Sequence, residues 1–157
     1  MTKDDDRTRL LEQYAAGFGV LESALAGITD AELDHQPGAD DWTPRQVAHH
    51  VADSETTAYV RLRRILAEDD PQIVGYDEAE FARRLHYDRP IEPSLAVVRA
   101  VREASLQLLK AIAPDEWQRA ASHTESGRYS VDHWLEIYAA HPADHAAQIT
   151  RARRAHS

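Results

Sequence analysis

The chain has 157 residues, a net charge of −9 and no cysteine, which predicts one domain spanning residues 1–157 around a single core. The missing Cys excludes disulfides, thiolate metal sites and a Cys nucleophile, and the negative charge would repel a nucleic-acid backbone rather than gather it. The opening MTKDDDRTRL lacks the apolar segment of a signal peptide, and no apolar run approaches the roughly 18 residues of a membrane span, so a cytoplasmic protein without a membrane partner is expected.

Ala, Leu, Glu and Arg dominate the composition, which favours helix. In the first helical pattern Leu11, Tyr14, Phe18, Leu21, Leu25 and Ile28 step by three and four along one face. GITDAELDHQPGADD breaks that period and reads as a connection with room for one helical turn. A second helix opens at WTPRQ: Thr43 caps, Pro44 suits the first helical position, and Gln46 can reach back as in a capping box. Val47, Val51, Ser54, Ala58, Leu62 and Ile65 form its inner stripe, and it stops near Glu68. The middle segment holds a shorter helix around Asp77–Leu85 between loops. A third long helix runs from about Pro93 to Ala113, with Leu95, Val98, Val101, Leu106, Leu109 and Ile112 inward, and PDEW reads as a brief turn. ASHTESGRYS is polar and carries Gly, so it is expected to be a loop with a short β-turn, and no strand pattern competes with the helices. Ser130 caps a fourth helix that reaches about Arg154. Its basic end, RARRAHS, reads as cations at a helix C-terminus. The fold class expected is all-α: a four-helix bundle with at least one long crossover connection.

The nine histidines divide by position. His35, His86, His123 and His156 fall in loops or tails and read as solvated imidazoles. On the fourth helix, with about 100° between successive residues, His145 lies about 40° from His141, Trp134 about 20° and Tyr138 about 60° from it. Gln148 and Ala152 fall on the same side, and Ile137 and Ile149 flank it. H-x-x-x-H is the spacing that lets two imidazoles reach one ion from successive turns. On the second helix His50 lies about 75° from the centre of the apolar stripe, and His49 about 175° from it, so His50 can look into the bundle while His49 should be exposed. His50, His141 and His145 thus make a candidate set of three nitrogen ligands, the arrangement of an open metal site. Buried, hydrogen-bonded core histidines are the competing reading, and spacing alone leaves both open. His133, about 80° from His141 on the far side from His145, is a reserve candidate. Pro142, between the paired histidines, removes the helical hydrogen bond to the Tyr138 carbonyl, and a kink there is the expected consequence.

DDWTPRQVAHHVADSETTAYVRLRRILAEDDPQIVGYDE, followed much later by YAAHPADHAAQI, resembles the DinB/YfiT-like superfamily of metal-binding bundles, over about Gln36 to Ile149. W-T-x-R-Q-V-x-H-H-x-A-D-S is the most specific element, and P-x-I-x-x-Y-D-E supports it. The resemblance implies a divalent metal, zinc or nickel, held by His50, His141 and His145, and a homodimer. It also implies either thiol S-transfer with bacillithiol or mycothiol and a small-molecule electrophile, or metal-dependent hydrolysis, or a non-catalytic metal-binding stress-response module. For the surrounding residues the expectations are looser. Asp53 can orient a helix-two histidine or be solvated, Tyr138 and Gln148 can contact substrate or simply fill the bundle, and Trp42 reads as a core anchor. The segments Asp69–Pro93 and Ala121–Tyr129 are the expected cleft walls.

Overall fold

The structure is a computed structural model that describes residues 3–157. Four long helices carry the architecture: α1 (Lys3–Leu25), α3 (Pro44–Ala67), α5 (Glu92–Ala111) and α6 (Val131–His156). Between them lie short helices α2 (Asp30–Leu33) and α4 (Glu78–Arg84), a 3₁₀ turn at Glu116–Gln118, and strands β1 (Gln72–Ile73), β2 (Ala120–His123) and β3 (Gly127–Ser130). Both α1 and α3 pack on α5 and α6, so α1 and α3 sit across the diagonal of the bundle. That diagonal placement is what the long crossovers accomplish.

The helix starts follow their caps. Thr43 Oγ1 accepts from the Gln46 amide while the Gln46 side chain accepts from the Thr43 amide, the reciprocal pair expected, with Pro44 opening α3. Ser130 accepts from the His133 amide at α6. Thr29 and Glu32 build a second capping box on α2. The α3 stripe Val47, Val51, Ser54, Ala58, Leu62 and Ile65 is buried throughout. One part of the core gathers Tyr14, Leu62, Ile65, Leu109, Trp134 and Leu135, and a second gathers Leu21, Leu25, Val47, Val51, Val98 and Ile149. Ile137, expected at the flank of the inner stripe, is 38% exposed.

The segment expected to be a loop is a hairpin instead. β2 and β3 pair antiparallel, with Ala121 opposite Tyr129, and β1 pairs parallel to β2. Gly127 has φ +76°, the left-handed residue that closes a three-residue hairpin loop. Ala121 and Tyr129 both bury on the core. Arg119, just before β2, donates to the Ile65 and Glu68 carbonyls, so the hairpin also satisfies open carbonyls at the end of α3. Among the described residues no helix is long and apolar enough to cross a membrane. The basic C-terminal run has a structural use: Arg153 donates to the Ala24 and Ala26 carbonyls at the end of α1.

Candidate metal centre

His50 projects from α3 and His141 and His145 from α6, and one ring nitrogen of each lies within 4.8 Å of the others. His50 is 3% exposed, its ring held edge-on by Trp42 and His145, with centroids 4.9 Å and 4.8 Å away. His133 stays outside, half-exposed, next to Glu136 and the Tyr129 ring. Asp40, Asp41, Trp42 and Glu78 surround the mouth of a cleft whose inner wall is His50 and His145, with a volume of about 290 Å³. The connection after α2 therefore supplies most of the rim. Of the two segments expected as walls, 69–93 contributes Glu78 and 121–129 contributes nothing to this cleft. Trp42 packs against the core, as expected, and lines the cleft as well.

The hydrogen bonds around the cluster set its chemistry. His141 Nδ1 lies 3.0 Å from Glu55 Oε1, and His145 Nδ1 lies 2.9 Å from Gln148 Oε1. An oxygen acceptor at each Nδ1 favours the tautomer protonated there, which in the neutral ring leaves Nε2 as the lone pair. Those two Nε2 atoms approach to 3.2 Å. Two lone pairs facing each other at that distance, without a proton between them, repel unless a cation sits beside them. The third ring adds an unsatisfied nitrogen, since His50 Nδ1 is buried with no hydrogen-bond partner. Burial, reinforced by the neighbouring His145 and His141, pushes the His50 imidazole down to about 3. Burial first, and His141 next, also lower that of His145. Neutral imidazoles are the form that ligates metal. The donor set fits a divalent cation.

Glu55 was not foreseen. It is 1% exposed and serves both His141 and Arg102, whose Nη1 donates to the same Oε1 at 2.7 Å. Arg102 Nη1 also donates to the Tyr138 carbonyl at 3.1 Å, and Nη2 to the Tyr14 carbonyl at 2.8 Å. The Tyr138 carbonyl is the acceptor that Pro142 leaves without its helical partner, so Arg102 replaces the bond that proline removes. Helix α6 continues through Pro142 to His156. Gly17 makes room: a Cβ there would lie 2.5 Å from Arg102 Nη2 and 2.9 Å from Pro142 Cγ. Tyr138 itself is buried beside the His141 ring, centroids 5.7 Å apart, and its hydroxyl takes a long bond from Arg61 at 3.4 Å.

Two expectations on α3 are corrected. His49 is fully buried rather than exposed, because α5 and the segment leading to it cover the side of α3 opposite the core stripe. Its Nδ1 pairs with Ser94 Oγ and its Nε2 with the Arg89 carbonyl, both at 2.8 Å. Asp53 orients no histidine; it accepts a hydrogen bond from the Tyr87 hydroxyl.

Fold and site together define a four-helix bundle with three clustered imidazoles, two of which, His50 and His145, line a cleft. The chain belongs to the DinB superfamily, whose family model matches residues 13–149. A protein of Oceanobacillus iheyensis, named by inference as a metal-dependent hydrolase, is 37% identical over 83% of this chain and 76% of its own. A relative from Halalkalibacterium halodurans with the same kind of name is 29% identical over 84% of this chain and 77% of its own. The solved structure of YfiT from Bacillus subtilis, described as a candidate metal-dependent hydrolase with an unusual four-helix bundle topology, superposes with a TM-score of 0.90. It shares 26% identity, covering 98% of this chain and 89% of the other.

Proposed function

We propose that this protein is a metal-dependent transferase that joins a low-molecular-weight thiol, of the bacillithiol or mycothiol kind, to a small electrophile. His50, His141 and His145 would hold the ion, zinc or nickel by the chemistry of three nitrogen donors. A cation held there supplies Lewis acidity, lowering the pKa of a thiol or water that takes its remaining position. The sulfur forms the new bond to the electrophilic carbon, the leaving group departs with its electron pair, and the thiol proton passes to solvent. Gln148 and Glu55 orient the two α6 imidazoles, and the cleft admits a small molecule.

The observation that carries the reading is the convergence of three imidazoles, two of them, His50 and His145, on the wall of a cleft. What favours thiol over water is the fate of two carboxylates on α3, the buried Glu55 and the half-buried Asp53. Glu55 is held by Arg102 and His141, and Asp53 by Tyr87, so neither is free to take a proton from water. An ionised thiol needs no such base, because the thiolate is already the nucleophile. Hydrolysis is the second reading, supported by the names of the relatives and by Glu78 at the cleft. The homodimer belongs to the same proposal and is read by sedimentation.

Metal-loaded protein should accelerate conjugation of bacillithiol or mycothiol to a reactive electrophile, and the His50→Ala variant should not. Activity that survives chelation would defeat the proposal. Turnover of an ester or amide without thiol would establish the hydrolase.

A further inference from the structure

The rim of the cleft carries a charge pattern that the metal reading does not use. Asp40, Asp41 and Glu78 line it, all three exposed, with Trp42 between them and the buried His50. No lysine or arginine lines it. The arginines nearest in sequence are engaged elsewhere: Arg45 with Asp30 and Asp34, and Arg83 and Arg84 with Glu80. Among the described residues none of the three rim carboxylates forms an ion pair. Their charge therefore acts on whatever enters the cleft. His50 lines its inner wall and is 3% exposed, and its Nδ1 has no hydrogen-bond partner.

We infer that this cleft selects molecules carrying a positive charge, such as an amine, beside the group that meets the histidines. The inference rests on the reading of His50, His141 and His145 as a site for small molecules, and it names their charge class. A cleft lined by one sign of charge concentrates the opposite sign and rejects its own. Each carboxylate roughly 6 Å from a unit charge changes binding by about threefold even in water, before salt screens it. Trp42 lines the same cleft with an aromatic ring, a group that attracts cations. Three carboxylates acting together should separate a cationic from an anionic ligand by at least about tenfold at low ionic strength.

The test compares three thiols of similar size and different charge: cysteamine, 2-mercaptoethanol and 3-mercaptopropionate. Binding is read from the Trp42 indole N–H resonance in zinc-loaded and in metal-free protein. Cysteamine should bind most tightly and 3-mercaptopropionate least in both forms, with the gap narrowing as salt is raised. The triple variant Asp40→Asn, Asp41→Asn, Glu78→Gln should lose the order, and Glu78→Gln alone should lose part of it. The metal–thiol reading fails separately, because it predicts that zinc raises the affinity of all three thiols, whereas the charge order requires no metal. An anionic thiol that binds as well as cysteamine would overturn the inference. So would an order that persists in the triple variant, or a Trp42 resonance that cysteamine moves in neither form.

Discussion

His141 is held by Glu55, and Glu55 by Arg102, so a change at the carboxylate should be felt both at the metal and in the core. Glu55→Gln keeps the shape but removes the charge. Loss of a carboxylate behind a ligating imidazole lowers metal affinity by roughly 10–100-fold, which competition with a chromogenic chelator measures. The same change leaves Arg102 buried without its counter-charge, a cost of about 3–5 kcal/mol in urea unfolding. Unchanged zinc affinity would show that the His141–Glu55 bond does not matter to the site. The histidines also set a pH dependence. In the folded, metal-free protein burial holds His50 at about 3 and lowers His145, so the unfolded chain binds these protons more readily. Their contribution is complete above the ordinary imidazole value near 6.5 and is lost as the pH falls from there toward about 3. Urea midpoints taken in chelator should decline from about pH 7 to about pH 4, and less so in His50→Asn. A midpoint that is flat or rises on acidification would contradict this. At this scale the sequence was informative about the three histidines that cluster and silent about Glu55 and Arg102 behind them. H-x-x-x-H and the flank position of His50 are periodicities, whereas Glu55 and Arg102 look like ordinary surface residues until α3 and α5 come together. His49 was misread for the same reason. A helical wheel knows only the stripe of its own helix, and the cover over His49 comes from Arg89 and Ser94, forty or more residues away.

Helix α6 passes through Pro142 because α5 supplies a guanidinium to the carbonyl the proline frees. That repair needs space, and Gly17 on α1 provides it. Gly17→Ala would ordinarily strengthen a helix by up to about 1 kcal/mol. Here the added methyl collides with Arg102 and Pro142, so the net effect should be destabilising by about 1–3 kcal/mol. Thermal unfolding decides it, and a raised Tm would show that Arg102 can move aside freely. The long helices were legible from the sequence because their periodicity and caps are local: Thr43 with Gln46, and Ser130 before α6, act within one turn. The hairpin was not. Its strands have four residues each, too short for alternation to stand out, and their pairing with Gln72–Ile73 joins segments far apart in the chain.

Across the whole molecule, the diagonal placement of α1 and α3 brings α3 against α6, which is how a histidine from the middle of the chain meets two from its final helix. The core is carried by apolar side chains of all four long helices, not by the three imidazoles. His141→Ala should therefore abolish stoichiometric metal binding while unfolding remains cooperative at neutral pH. Loss of cooperativity without metal would make the site structural. The central claim is that one divalent ion is held by His50, His141 and His145 together. Anomalous difference maps from crystals grown with zinc, collected on either side of the zinc absorption edge, test it most directly. The account predicts one strong peak about 2.0–2.1 Å from a ring nitrogen of each of the three histidines. A peak bound to other residues, or one that touches fewer than three of these imidazoles, would contradict it.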